Sequence, residues 1–229
     1  MAPRLVIFDC DGVLVDSEVL VAPLESRLLA EHGVQLSPDE VLARFLGRRQ
    51  ADVMAELGLP ASYATEKTAR VSELFDRELA AVAGVDALLQ RLPDRRCVAS
   101  SSRPDRIARS LAVTGLARHF DGHVYSAVSV ARGKPAPDLF LHAAADMGAE
   151  PADCVVVEDS VPGVLAGVAA GMEVVGFTAG GHHGPGAGDR LAAGDRLAAA
   201  GATAIAADAE ELGRLLGCPP LQATSTADR

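Results

Sequence analysis

Lysine is scarce in this chain: of its 21 basic residues only Lys67 and Lys134 are lysine, and the rest are arginine. No basic tract offsets a formal net charge of -10, which excludes a general nucleic-acid-binding surface. The four cysteines, Cys10, Cys97, Cys154 and Cys218, lack metal-type or redox-type pairing and read as reduced thiols, most of them in or beside buried strands. No apolar run reaches the roughly 18 residues of a membrane span. The first such run stops at Asp9, so no signal peptide is expected, and the reading is of a soluble, cytoplasmic monomer without nucleic-acid or membrane partners.

What the chain does have, at 229 residues and 49% hydrophobic, is enough apolar material for one large domain or two modest ones. The organising stretch is Leu5-Val6-Ile7-Phe8-Asp9-Cys10-Asp11-Gly12. Four consecutive apolar residues suit a strand buried on both faces, and the run ends abruptly at two carboxylates two residues apart. Asp-Gly after an apolar run is also a common turn signal. A calcium loop is disfavoured, because Gly12 follows Asp11 directly and the loop's third acidic position is missing.

From Asp16 and Ser17, read as an N-cap, a helix with Leu20, Leu24 and Leu28 on one face runs to about Gly33. Ser37-Pro38-Asp39-Glu40 has capping-box spacing and opens a second helix, and further helices are expected over 51–57 and 63–81. Beyond Gly84 the pattern alternates, with helices at 84–92, 104–114, 137–147, 161–170 and 208–216 and strands at 96–100, 122–126, 154–158, 173–177 and 203–206. Alternation of this kind means an α/β fold whose parallel sheet is covered on both faces. The expected division is a core of 1–16 and 83–217, a helical insertion at 17–82 after strand one, and a frayed tail at 218–229. Between Thr178 and Gly201 the chain is Gly-rich, carries His182-His183, and repeats the hexad Gly-Asp-Arg-Leu-Ala-Ala at 188–193 and 194–199. The histidine pair is read as solvated and not as a second metal site.

Ligands of parallel α/β sheets sit beyond the carboxyl ends of the strands. Collecting the residues there gives Asp9 and Asp11, then Ser100-Ser101-Ser102 at a helix start, then Lys134 between Gly133 and Pro135, then Glu158-Asp159. The serines suit either a helix cap or an anion site, and Lys134 either solvent or a pre-aimed side chain. Adjacent acids at a buried strand end raise each other's pKa unless a cation is near. Together the carboxylates offer hard oxygen ligands for Mg2+, and the lysine and Ser-side N–H groups offer charge for a phosphate. That combination is a phosphoryl-transfer site.

In this order and spacing, Asp9-Cys10-Asp11-Gly12-Val13, Ser100, Lys134 and Glu158-Asp159 resemble the four motifs of the haloacid dehalogenase-like hydrolases. The similarity is to the helical-cap branch, which includes β-phosphoglucomutase-, phosphoglycolate phosphatase- and 6-phosphogluconate phosphatase-like proteins. The resemblance implies a three-layer Rossmann-like core, a helical cap after strand one, Mg2+, and Asp9 as nucleophile forming an aspartyl phosphate. It implies Asp11 as acid and base, metal binding by Asp9, the Asp11 carbonyl, Asp159 and Glu158, and phosphate binding by Ser100, Ser101 and Lys134.

Within that superfamily, Asp11 argues against dehalogenation, which needs no proton donor to its leaving group. A phosphonatase would need a lysine in the first cap helix, and residues 18 to 33 contain none. A sugar-phosphate mutase shares the core motifs, but Val19-Leu20-Val21-Ala22-Pro23 lacks the histidine expected there, so a phosphatase for a small phosphorylated metabolite is favoured. A non-catalytic phosphate-binding module would lack at least one acid. Gly47-Arg48-Arg49-Gln50 is the candidate specificity loop, in which arginines either cap a solvated helix end or select an acidic sugar phosphate.

Overall fold

The computed structural model describes residues 5–92, 95–184 and 186–219. Six parallel strands, β1 (Leu5–Phe8), β2 (Arg95–Ser100), β3 (Val124–Ser126), β4 (Cys154–Glu158), β5 (Glu173–Phe177) and β6 (Ala204–Ala206), lie in the order β3-β2-β1-β4-β5-β6. Strand β1 pairs with β2 on one side and β4 on the other, so the order reverses between β1 and β4 and opens a crevice at their carboxyl ends. Every residue of β1 and β4 is buried. That explains their unbroken apolar runs.

The two-residue period of a strand divides the core into two layers. Val6, Phe8, Val98, Val157 and Phe177 meet α5 (Val85–Arg91), α6 (Pro104–Val113) and α10 (Ala209–Leu215) on one face. Leu5, Ile7, Cys97, Ala99 and Val156 meet α7 (Asp138–Asp146), α8 (Val161–Ala169) and α9 (Ala187–Ala199) on the other. Helices α1 (Glu18–Glu31), α2 (Pro38–Phe45), α3 (Gln50–Leu57) and α4 (Ala61–Glu78) fall between β1 and β2, and Ala22, Leu28, Leu29, Val41, Phe45, Val53 and Tyr63 form a separate apolar cluster among them. The capping box at Ser37 and Glu40 is formed, with Ser37 N donating to Glu40 Oε2 at 2.7 Å.

Two expectations are corrected and one helix is added. The duplicated hexads, given no element from the sequence, form α9, in which Leu197 is buried and Leu191 is 68% exposed. Six residues advance a helix by about one and two-thirds turns, so the two copies point Leu to different faces and the apolar stripe is obscured. Ser17 makes no side-chain cap for α1, because its hydroxyl turns to Asp11. Cys218, placed in a frayed tail, is buried against the core beside Leu212 and Leu216; the rest of that tail, from residue 220, lies outside the described residues.

Candidate active site

Register alone brings the acids together. Phe8 stands opposite Val157 and the Asp9 N–H donates to the Val157 carbonyl at 3.0 Å, so Asp9 and Glu158 leave adjacent strands side by side. Asp9, Glu158 and Asp159 are buried, and their carboxylates lie within 4.8 Å of one another. Gly12, at φ +78°, turns the chain back beneath them.

Lys134 is buried and not solvated. Its Nζ donates to Asp9 Oδ1 at 2.6 Å, Glu158 Oε1 at 2.5 Å and the Ala99 carbonyl at 3.2 Å, which uses its three protons. Burial opposes its charge, but Asp9 and Glu158 outweigh burial and hold it firmly protonated. Glu158 is spoken for on both oxygens: Oε2 accepts from the N–H groups of Asp159 and Ser160 and from Ser160 Oγ. Burial pushes the Asp9 carboxyl well above its ordinary value, the Lys134 charge opposes this, and the Glu158, Asp159 and Asp11 charges add to it. Asp159 is raised in the same way by burial and by Glu158.

Asp11 is placed differently. Its Oδ1 accepts from Arg106 Nη2 at 2.7 Å and Ser17 Oγ at 2.7 Å, and its Oδ2 from Ser102 Oγ at 2.6 Å. Burial would raise this carboxyl, yet the Arg106 guanidinium and the two hydroxyls hold it below the ordinary range. Half-buried Glu18 stands nearby, and loss of hydration with the Asp11 charge pushes it up to about 7. Sequence reasoning missed Arg106 and Glu18, collected Ser102 with the serine run but gave it no role, and read Ser17 only as a helix cap; the signal available for Arg106 was its place in the first turn of α6.

Ser100 is buried at the end of β2, with Oγ accepting from Ser102 N at 3.1 Å. Ser101 Oγ donates to the Gly47 carbonyl at 2.8 Å, joining the β2 loop to the α2–α3 loop. A cavity of about 560 Å3 opens here, lined by Asp9, Asp11, Ser100 and Ser101 on one side and by Gly47, Arg48, Arg49 and Gln50 on the other. Both arginines are engaged: Arg48 with Glu56 at 2.8 Å, and Arg49 with Asp52 at 2.8 Å and with carbonyls of the 127–131 segment at 3.4 to 3.5 Å. Lys67, the second lysine, also lines the cavity and pairs with buried Glu25 at 2.5 Å, which accepts from Tyr63 as well. The expectation of solvated histidines fails, since the His182 side chain is only 2% exposed and burial lowers the pKa of both rings, His183 to about 3.

A family model of the haloacid dehalogenase-like hydrolases matches residues 3–171. Among curated proteins, the 6-phosphogluconate phosphatase of Escherichia coli (strain K12) is 36% identical over 187 residues, which are 79% of this chain and 85% of that protein. Among solved structures, a conserved haloacid dehalogenase-like protein of unknown function from Agrobacterium tumefaciens is 39% identical with a TM-score of 0.76, covering 93% of this chain and 97% of that one. A haloacid dehalogenase family hydrolase from Deinococcus radiodurans with bound phosphate and sodium is 33% identical with a TM-score of 0.73, covering 96% and 100%. The chain therefore belongs to the haloacid dehalogenase-like hydrolases and is an enzyme of that family.

Proposed function

We propose that this chain is a Mg2+-dependent phosphoric monoester hydrolase that cleaves a small phosphorylated metabolite, a sugar phosphate or sugar-acid phosphate, through an aspartyl phosphate on Asp9. The reading extends to a cytoplasmic monomer in which residues 17–82 form a cap over a core of 1–16 and 83–217. The observation that carries it is the meeting of Asp9, Lys134, Glu158 and Asp159 at the β1–β4 crevice. The named substrates of similar phosphatases, 6-phosphogluconate among them, support the substrate class.

The site fits Mg2+ by its chemistry. Asp9, Asp11, Glu158 and Asp159 outnumber the cations Lys134 and Arg106, and buried carboxylate oxygens of Asp9, Glu158 and Asp159 lie within 4.8 Å of one another. Hard carboxylate oxygens of this kind suit that ion. Asp9, the Asp11 carbonyl and Asp159 would hold it, and Glu158, saturated by other donors, would reach it through water. Bound there, it would neutralise charge on the phosphoryl oxygens.

Asp9 Oδ1 is fixed by Lys134, which leaves Oδ2 to attack phosphorus and form the acyl phosphate as the P–O bond to the leaving group breaks. Lys134 then balances the charge gathered on the phosphoryl group, and Ser100 and the Ser101 N–H orient it. Asp11, held as a carboxylate by Arg106, Ser17 and Ser102, is in the form that takes a proton from the hydrolytic water. Donating a proton to the departing alcohol requires Asp11 to leave Arg106 and become protonated.

The test is phosphate release from a panel of sugar and sugar-acid phosphates with Mg2+, with EDTA, and with a sugar bisphosphate primer. Mg2+-dependent release that vanishes in folded Asp9→Asn is expected. Turnover in EDTA, or retained in Asp9→Asn, overturns the mechanism, and isomerisation dependent on the primer identifies a mutase instead.

A further inference from the structure

Beyond β5, a short turn at Gly181–His183 carries His182 and His183 up to Asp159. The turn is anchored: Gly181 N donates to Asp16 Oδ1 at 2.9 Å and His183 N to the Gly180 carbonyl at 3.1 Å. His182 Nε2 lies 3.0 Å from Asp159 Oδ2, and the two imidazole rings are 3.9 Å apart. Asp159 Oδ2, both ring nitrogens of His182 and His183 Nε2 are buried without hydrogen-bond partners. Leaving such groups unpaired costs roughly 1–3 kcal/mol each, and three of them, one from each residue, lie within 4.8 Å of one another, which calls for an occupant.

A plain Asp159–His182 hydrogen bond would satisfy Asp159 Oδ2 and His182 Nε2 but would leave His183 Nε2 without a partner. The His183 ring is also bonded to the backbone of Phe177, which leaves Nε2 as its free nitrogen. Metal-binding histidines are commonly fixed in this manner, one nitrogen on a backbone group and the other on the ion. Space for the ring is provided at Gly180 and Gly12, where a Cβ would come within 2.7 and 2.8 Å of His182 Cε1.

We propose that His182, His183 and Asp159 form a second cation site, distinct from the Mg2+ position, that takes a transition-metal ion of the zinc class. Two imidazoles and one carboxylate are the donor set such an ion prefers, with water completing a tetrahedron. One ligand atom from each residue lies within 4.8 Å of the others. Tetrahedral bonds of about 2.0–2.2 Å place donors roughly 3.4 Å apart, so no pair has to close by more than about 1.4 Å. Asp159 has two oxygens, and Oδ2 faces the histidines, so one carboxylate can serve both ions as a bridge.

Equilibrium dialysis of the full-length protein against Zn2+ with Mg2+ present tests the site without reference to phosphatase activity. One Zn2+ held per chain is expected, retained in Asp9→Asn and lost in both His182→Ala and His183→Ala. X-ray absorption of the zinc-loaded wild-type protein, which needs no variant to fold, is expected to show two imidazole ligands. Absence of bound Zn2+ in the wild type, undiminished binding in folded histidine variants, or an all-oxygen shell overturns the proposal. A protein that holds zinc this way yet releases no phosphate would refute the proposed hydrolysis and leave the metal site standing.

Discussion

Arg106 Nη2 meets Asp11 Oδ1 at 2.7 Å, and the same guanidinium lies over the ring of Phe75 in α4, 5.2 Å from its centroid. One side chain thus ties the second aspartate of the β1 loop to a helix of the insertion. Removing it frees Asp11 from its strongest restraint. Arg106→Met is expected to lower kcat about 100-fold, as misplacement by about 1 Å at a reacting group does, with little change in KM. It should also cost about 1.5–3 kcal/mol in urea unfolding, the range for hydrogen bonds to charged groups. Arg106→Lys should recover stability better than kcat, because a single ammonium cannot serve Asp11 and cover Phe75 as a planar guanidinium does.

Lys67 and Glu25 form a further buried ion pair, at 2.5 Å, with side chains 9% and 7% exposed. Breaking it by Lys67→Met strands Glu25 in an apolar setting with only Tyr63 for a partner, and a loss of about 3–5 kcal/mol is expected. Replacing both, as Glu25→Leu with Lys67→Met, should restore most of that stability. Chemical denaturation of the two singles and the double measures the coupling directly. Because Lys67 also lines the cavity, the double variant should raise KM for the physiological substrate if this pair touches it.

The acids and Lys134 were legible in the sequence because a buried strand announces its own end, and a parallel sheet gathers those ends. Strand β4 is the clearest case: Cys154-Val155-Val156-Val157 can be nothing but buried, so Glu158-Asp159 had to open into the crevice. Arg106 was not legible, because an arginine among 21 basic residues on an amphipathic helix reads as solvent-facing, and only the packing of α4 on α6 turns it inward. Helix α9 was hidden by its glycines, which in a loop supply flexibility but at Gly194 let the helix lie close to Ile205. The histidine pair failed for the same reason: a Gly-rich setting suggests solvent, and here it makes room for rings.

Gly47 has φ +76°, and a Cβ there would stand 2.3 Å from Ser160 Oγ. Ser160 Oγ in turn donates to Glu158 Oε2 at 2.9 Å, so pressure on it passes into the acid cluster. Gly47→Ala is expected to cost about 1–2 kcal/mol from the left-handed backbone alone. Activity should fall further than thermal stability accounts for, which a kcat measured well below the melting temperature would show. Gly58→Ala is the control: its φ is +65° but nothing lies within 4 Å, so only stability should change.

Glu18 titrates near 7, above an unfolded value of 4.5. A carboxyl raised on folding keeps its proton in the native state where the unfolded chain has lost it, so stability declines as pH rises from about 4.5 to about 7 and is level beyond. Glu18→Gln removes that decline. The variant should therefore melt higher than wild type at pH 8 and match it near pH 4.5, and scanning calorimetry at the two pH values decides the matter.

Specificity supplies the last expectation, and the structure separates the two arginines on which it turns. Arg49 is committed to architecture, clasping Asp52 and reaching the carbonyls of Ala127, Val130 and Ala131 from the insertion to the sheet side. Arg48 is held by Glu56, whose side chain is 40% exposed and shared with Arg44, and by a long 3.4 Å hydrogen bond to the Arg44 carbonyl, with its guanidinium 6.0 Å from the Phe45 ring centroid. Exposed pairs of this kind contribute about 0–1 kcal/mol, so an acidic substrate entering the cavity can draw Arg48 away at little cost. Arg48→Ala is then expected to raise KM for a sugar-acid phosphate about tenfold and leave hydrolysis of an aryl phosphate, which carries no second charge, nearly unchanged. Arg49→Ala should instead depress both substrates together, because it loosens the α2–α3 loop against the sheet. Equal losses on both substrates for Arg48→Ala would remove it from substrate selection and leave the choice of leaving group to the shape of the cavity.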